Sequence, residues 1–163
     1  MLKRLVSVLA IVVIASGFVA GCSQRQKAAP KPTKHSMSEP VAIKQAKAGS
    51  DQALRTSGVR VINNEAELKE LGAESFEIFN PNFENESIVI LSLGEQKTGG
   101  YWVEITGLQQ VGETLYVQGV ANKPGEEEIV TEAIEYPYAA VLVEKVEPKR
   151  VIPDLNQVTG QGK

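Results

Sequence analysis

Apolar residues fall along this chain in short runs, and the runs have strand length. Ile88-Val89-Ile90-Leu91-Ser92-Leu93 is apolar almost throughout. That pattern predicts a central strand covered on both faces. From Tyr101 the period is two. Tyr101, Val103 and Ile105 point one way; Trp102, Glu104 and Thr106 point the other. Residues 108–111 and 114–120 flank Gly112-Glu113, which fits a two-residue hairpin turn with Gly first. Residues 129–134 and 139–146 read as two more strands, separated by Tyr136-Pro137-Tyr138. Residues 59–62 form a shorter one, and Arg150-Val151-Ile152 leaves room for one short extra strand in a C-terminal tail.

One segment has helical spacing. Asn64 is placed to cap it, and Glu67 sits where a capping-box carboxylate reaches back. Leu68 and Leu71 make a narrow apolar stripe, and Gly72 suits the left-handed residue that ends a helix. About two turns result, stable only when packed on something else. Residues 74–87 are irregular around Asn80-Pro81-Asn82, with Phe76, Ile78, Phe79 and Phe83 expected to fold back onto the core. Short strands, turns and one early helix define the fold class. It is α+β, mainly β, a single small domain with an antiparallel sheet and one short N-terminal helix.

The beginning of the chain changes the picture. Lys3 and Arg4 precede an apolar stretch over residues 5–18, too short for a span of about 20 residues. It closes on Val19-Ala20-Gly21-Cys22, which looks like the processing site of a bacterial lipoprotein. In such signals the cysteine sulfur carries a diacylglyceryl group and becomes the new N-terminus. Residues 1–21 are therefore read as a signal peptide and Cys22 as the lipidated residue, its acyl chains (palmitate among them) held by membrane lipid. Cys22 is the single cysteine, so no internal disulfide forms. The expected location is the bacterial cell envelope, outside the cytoplasm. The anchor lies in the cell membrane, or in the outer membrane if the host has one.

Charge divides at the same place. Residues 22–50 hold six Lys or Arg against one Glu; residues 51–163 hold nine against 19 Asp or Glu. The basic part would lie near anionic headgroups. The acidic part, with a net charge of −10, argues against nucleic acid as a partner. Residues 22–56 carry Pro30, Pro32 and Pro40 and no aromatic residue. They read as a lipidated cysteine followed by a disordered basic linker. The domain is expected over residues 57–147, with a tail from 148 to 163.

Lys97-Thr98-Gly99-Gly100-Tyr101 opens the period-two strand. Glycines that feed a strand suit a tight turn or bulge. A phosphate cradle would need a helix to follow, and here a strand follows. The apolar run at Ile88, the Thr98-Gly99-Gly100-Tyr101 turn, and Tyr136-Pro137-Tyr138 leading to Val141-Leu142-Val143 together resemble the PrcB C-terminal domain family. The resemblance covers about residues 58–146. It implies an extracytoplasmic accessory or binding domain, such as a lipoprotein subunit of a surface protease complex. It brings no catalytic residues.

The available chemistry agrees with that expectation. The one histidine, His35, sits in the linker. Cys–His, Ser–His–Asp and His-based metal sites therefore have no place in the folded part. Glu126-Glu127-Glu128 lacks the spacing of a calcium loop and reads as a solvated edge. No metal, cofactor or enzymatic activity is expected. Thr98, Gly99, Gly100, Tyr101, Trp102, Tyr136, Pro137 and Tyr138 are the candidate binding residues, since Tyr and Trp are enriched at binding hot spots. The expected function is a membrane-anchored lipoprotein with a non-catalytic domain that binds an envelope protein, a protease among the candidates. Two alternatives stand beside it: a carboxylate-dependent envelope enzyme and a purely structural envelope lipoprotein.

Overall fold

The computed structural model of the chain describes residues 38–72 and 74–160. Residues 1–21, read above as a signal peptide, Cys22 and His35 lie outside the described residues. Eight strands and one helix follow in order. They are β1 (Ser38–Pro40), β2 (Ile43–Ser50), β3 (Gly58–Ile62), α1 (Glu65–Leu71), β4 (Glu86–Ser92), β5 (Trp102–Val111), β6 (Thr114–Lys123), β7 (Pro137–Glu144) and β8 (Arg150–Thr159). Two four-stranded sheets result, with orders β1-β5-β6-β8 and β2-β7-β4-β3. The domain is mainly β, as the alternation predicts.

The continuous apolar runs become the middle of the second sheet. Val89 pairs with Val141 and Ile88 with Leu142 across β4 and β7. Val89, Leu91, Val141 and Val143 face the first sheet and meet Val103, Ile105, Leu115 and Val117 there. Ile88, Ile90, Ala140 and Leu142 face the other way, onto Leu54, Leu71, Phe76 and Phe79. Each such side chain contributes about 1.5–3 kcal/mol on full burial. Sheet, sheet and a helical layer thus make three layers, and the middles of β4 and β7 carry apolar residues on both faces.

The helical layer starts as the capping signals predict. The Asn64 carboxamide oxygen accepts from Glu67 N at 2.9 Å, and the Glu67 carboxylate accepts from Asn63 N at 2.7 Å. Gly72 ends α1 at φ 66°. A 3₁₀ turn over Glu74–Phe79 then buries Phe76 and Phe79, while Ile78 faces out. Lys145 Nζ, at the end of β7, donates to Asn63 O and Phe83 O at 2.8 and 2.7 Å and fastens this layer to the sheet.

Four expectations are corrected. Residues 38–56 are not disordered linker: β1 pairs with β5, and β2 pairs with the edge of β7. The side chains of β2 are nearly all exposed, so its order comes from main-chain hydrogen bonds that β7 would otherwise lack. The C-terminal tail is a ten-residue strand, β8, beside β6. That pair is parallel, although every other pair is antiparallel. Between them the chain crosses to the other sheet as β7, which supplies the long connection that parallel neighbours require. Residues 129–134 form no strand; they lie in a loop. No described peptide bond is cis, the one before Pro137 included.

Candidate functional site

The turn before β5 and the loop before β7 are one structure. Gln96 and Glu135 exchange main-chain hydrogen bonds at 2.8 and 3.0 Å, and Gly99 N donates to Thr131 O at 2.9 Å. The loop over residues 124–135 therefore lies directly on Gly99 and Gly100. A Cβ at Gly99 would sit 2.3 Å from Thr131 Oγ1. A Cβ at Gly100 would sit 2.9 Å from Val130 Cγ1 and 3.1 Å from Pro124 Cβ. Gly100 also has φ +85°, where an L side chain is strained. The two glycines are adjacent for two reasons: the first must be small, and the second must be small and left-handed. Asn122 Nδ2 completes the seat by donating to Gly100 O at 3.1 Å.

The candidate residues separate on this frame. Tyr138 is 2% exposed and stacks edge-on against Phe76, with ring centroids 4.9 Å apart. Pro137 is also buried. Both belong to the core and cannot touch a partner, because β7 is covered on both faces. Gly99 is buried under Thr131, and Thr98 is half-buried beside it. Tyr101, Trp102 and Tyr136 remain partly open and sit at one end of the sandwich. Tyr101 lines a cleft of about 430 Å³ between the sheets, with Leu93, Gln96 and Leu155. Tyr101 and Trp102 also border a depression of about 300 Å³ beside Gly49 and Glu135. Tyr136 donates its hydroxyl to Glu95 at 3.2 Å, and the Arg55 guanidinium lies 5.8 Å from its ring centroid. Such a cation over an aromatic face is worth about 0.5–1 kcal/mol at an exposed site.

One polar cluster has no signal in the sequence. Ser75 Oγ donates to the Asp51 carboxylate, whose other oxygen accepts from Ala53 N at 2.9 Å. Lys47 Nζ donates to Ser75 O at 2.8 Å. The Tyr138 hydroxyl shares the cluster. Burial pushes its pKa up, the Asp51 charge adds to that, and the Ser75 hydrogen bond opposes both. The Ser75 hydroxyl is committed to a carboxylate, so the cluster works as a clasp between β2 and the 3₁₀ layer. Among the described residues, no three His, Cys, Asp or Glu side chains converge as a metal site would require. No helix among them is long and apolar enough to cross a membrane.

Fold and site together describe a small β-sandwich domain with a helix-covered face and a turn-and-loop surface at one end. Residues 87–144 match the family described as PrcB C-terminal. The span runs from β4 through β7, so it holds the glycine seat and the loop that lies on it. No curated protein and no solved structure matches the chain.

Proposed function

We propose that the chain is a membrane-anchored bacterial envelope lipoprotein whose folded domain binds another envelope protein and catalyses nothing. Its role is that of an accessory subunit in a surface protease complex or a comparable envelope assembly. The observation that carries this reading is that Tyr101, Trp102 and Tyr136 are all partly open, the first two bordering one depression and the third held by Glu95 and Arg55. Aromatic side chains of that kind supply large contact area at little cost in conformational freedom. The PrcB C-terminal match agrees with an accessory role, and the Val19-Ala20-Gly21-Cys22 sequence agrees with an anchor.

The test is affinity purification of the full-length chain from its own membranes after mild crosslinking. Trp102→Ala and Tyr136→Ala are carried beside it, each checked for an unchanged fold by circular dichroism. A central anchor is worth about 2 kcal/mol or more. Recovery of a partner by the parent chain, and its sharp loss in either variant, is the expected result. Recovery of no protein by the parent chain, or turnover of a substrate by the purified domain, overturns the reading.

A further inference from the structure

We propose that the loop over residues 124–135 is the tip through which this domain docks onto a basic protein surface. The inference rests on the binding reading above and specifies where contact is made and with what chemistry. Ile129 is 103% exposed and Ile134 is 59% exposed. Val130, between them, turns inward against Gly100. The loop therefore presents two large aliphatic side chains to solvent while its own hydrophobic contact is satisfied elsewhere.

The loop is held in this shape. Gly99 N bonds Thr131 O, Gln96 and Glu135 bond each other twice, and Gly125 N donates to Glu128 at 2.8 Å while Glu128 N returns a bond to Gly125 O. Two glycines give up their Cβ atoms to seat it. A contact segment already fixed in its bound shape loses little freedom on association, which favours affinity.

Charge says what covers it. Glu126, Glu127, Glu128, Glu132 and Glu135 flank the two isoleucines along the loop, and no Lys or Arg lies within it. Among the described residues, none of the five is in an ion pair. Five carboxylates in one short loop repel an anionic lipid surface and attract Lys and Arg. The occupant is therefore a protein surface with an apolar notch rimmed by basic residues. Position agrees. The described chain enters the domain at Ser38, which pairs with Val111 at one end of β5, while the loop follows Lys123 and packs beside Trp102 at the other. A ten-residue strand is about 33 Å long. The tip stands at the end remote from that entry.

The experiment uses the full-length chain in its own envelope, with a photoreactive benzoylphenylalanine in place of Ile129. The control carries it in place of Ile78, which is 68% exposed in the helical layer. Illumination is expected to give a protein adduct from position 129 and none from position 78. The crosslinked peptide of the partner should carry Lys or Arg beside the attachment point. The partner so identified is then purified. Its binding should weaken at least about tenfold in Ile129→Ser/Ile134→Ser and should lose most of its salt dependence in Glu126→Gln/Glu127→Gln/Glu132→Gln. Both isoleucines are exposed, so an unchanged melting temperature is expected and confirms that the fold is intact. An adduct to lipid, to a second copy or to the chain's own segment 25–34 overturns the proposal. So does undiminished binding by the double serine variant. If that variant binds normally while Trp102→Ala does not, the tip is wrong and the binding reading stands. If neither position yields a protein adduct and the parent chain recovers no partner, both fall.

Discussion

Gly99 and Gly100 look alike in the sequence and fail for different reasons when changed. At Gly99 the obstacle is the hydroxyl of Thr131, at 2.3 Å from the added Cβ. At Gly100 the obstacle is the backbone itself, at φ +85°, with Val130 and Pro124 close by. Gly99→Ala is expected to cost about 1 kcal/mol, and Thr131→Ala in the same chain should recover most of it. Gly100→Ala is expected to cost about 1–2 kcal/mol, with little recovered by Val130→Ala, because strain at positive φ remains. Urea unfolding of the four single and two double variants beside the parent chain checks both cycles. Equal rescue at the two positions would show that crowding alone explains the pair. Tyr138 allows a second prediction at this scale. Its pKa is raised above 10.0, mainly by burial, so the folded state holds the phenolic proton more tightly than the unfolded state. Stability from this source is complete below the unfolded pKa and is lost as pH rises through the folded one. The melting temperature of the parent chain should therefore fall more steeply above pH 10 than that of Tyr138→Phe. Parallel curves would mean that other groups govern the alkaline limb.

At the scale of elements, β8 is the one whose removal tells most. It covers the edge of β6 over ten residue pairs, and Val151 and Leu155 pack inward against the core between the sheets. Each half-buried aliphatic side chain is worth about 1 kcal/mol. Ending the chain after Lys149 should lower stability by about 2 kcal/mol or more and leave β6 as an open edge prone to association. Chemical unfolding and sedimentation of the truncated chain are the measurements; an unchanged midpoint would show that β8 is dispensable. The same strand shows why some elements were legible and others not. β4 and β7 announce themselves because both faces are buried and residues 88–91 and 139–143 are apolar throughout. The turn of α1 is legible because Asn64, Glu67 and Gly72 carry its hydrogen bonds locally. β8 hides because an edge strand tolerates Pro153 and polar outward positions, and β2 hides because it buries almost nothing. The loop containing Ile129 misleads in the opposite sense, since its aliphatic residues face water and mimic a strand. At the site, the glycine turn and the partly open aromatics were legible. The burial of Tyr138 and Pro137 was not, because a strand covered on both faces is fixed by partners far away in sequence.

At the scale of the molecule, the anchored reading predicts how the whole chain distributes. Cys22→Ala should leave an unprocessed precursor or release the domain from the membrane fraction, with loss of lipid labelling. Fractionation, gel mobility and labelling read this directly; unchanged behaviour in all three would remove the anchor. With the anchor in place, residues 23–37 stand between the lipid and β1. Fifteen residues span at most about 50 Å, which bounds how far β1 can stand from the bilayer.

The pairing of strands also sets when this chain can fold. β2 meets its partner about 100 residues later, with Ile43 beside Val143, and β6 waits for β8 across the whole of β7. Most of the sandwich is built from such distant pairings, which form slowly because long loops must close before any contact forms. Neither sheet is complete while the chain is only partly made. A nascent chain lacking residues 137–159 has two unfinished sheets, with one edge of β4 and one edge of β6 unpaired. Under the anchored reading this arrangement suits export in the unfolded state, since stable structure becomes available only once the last strands have been made.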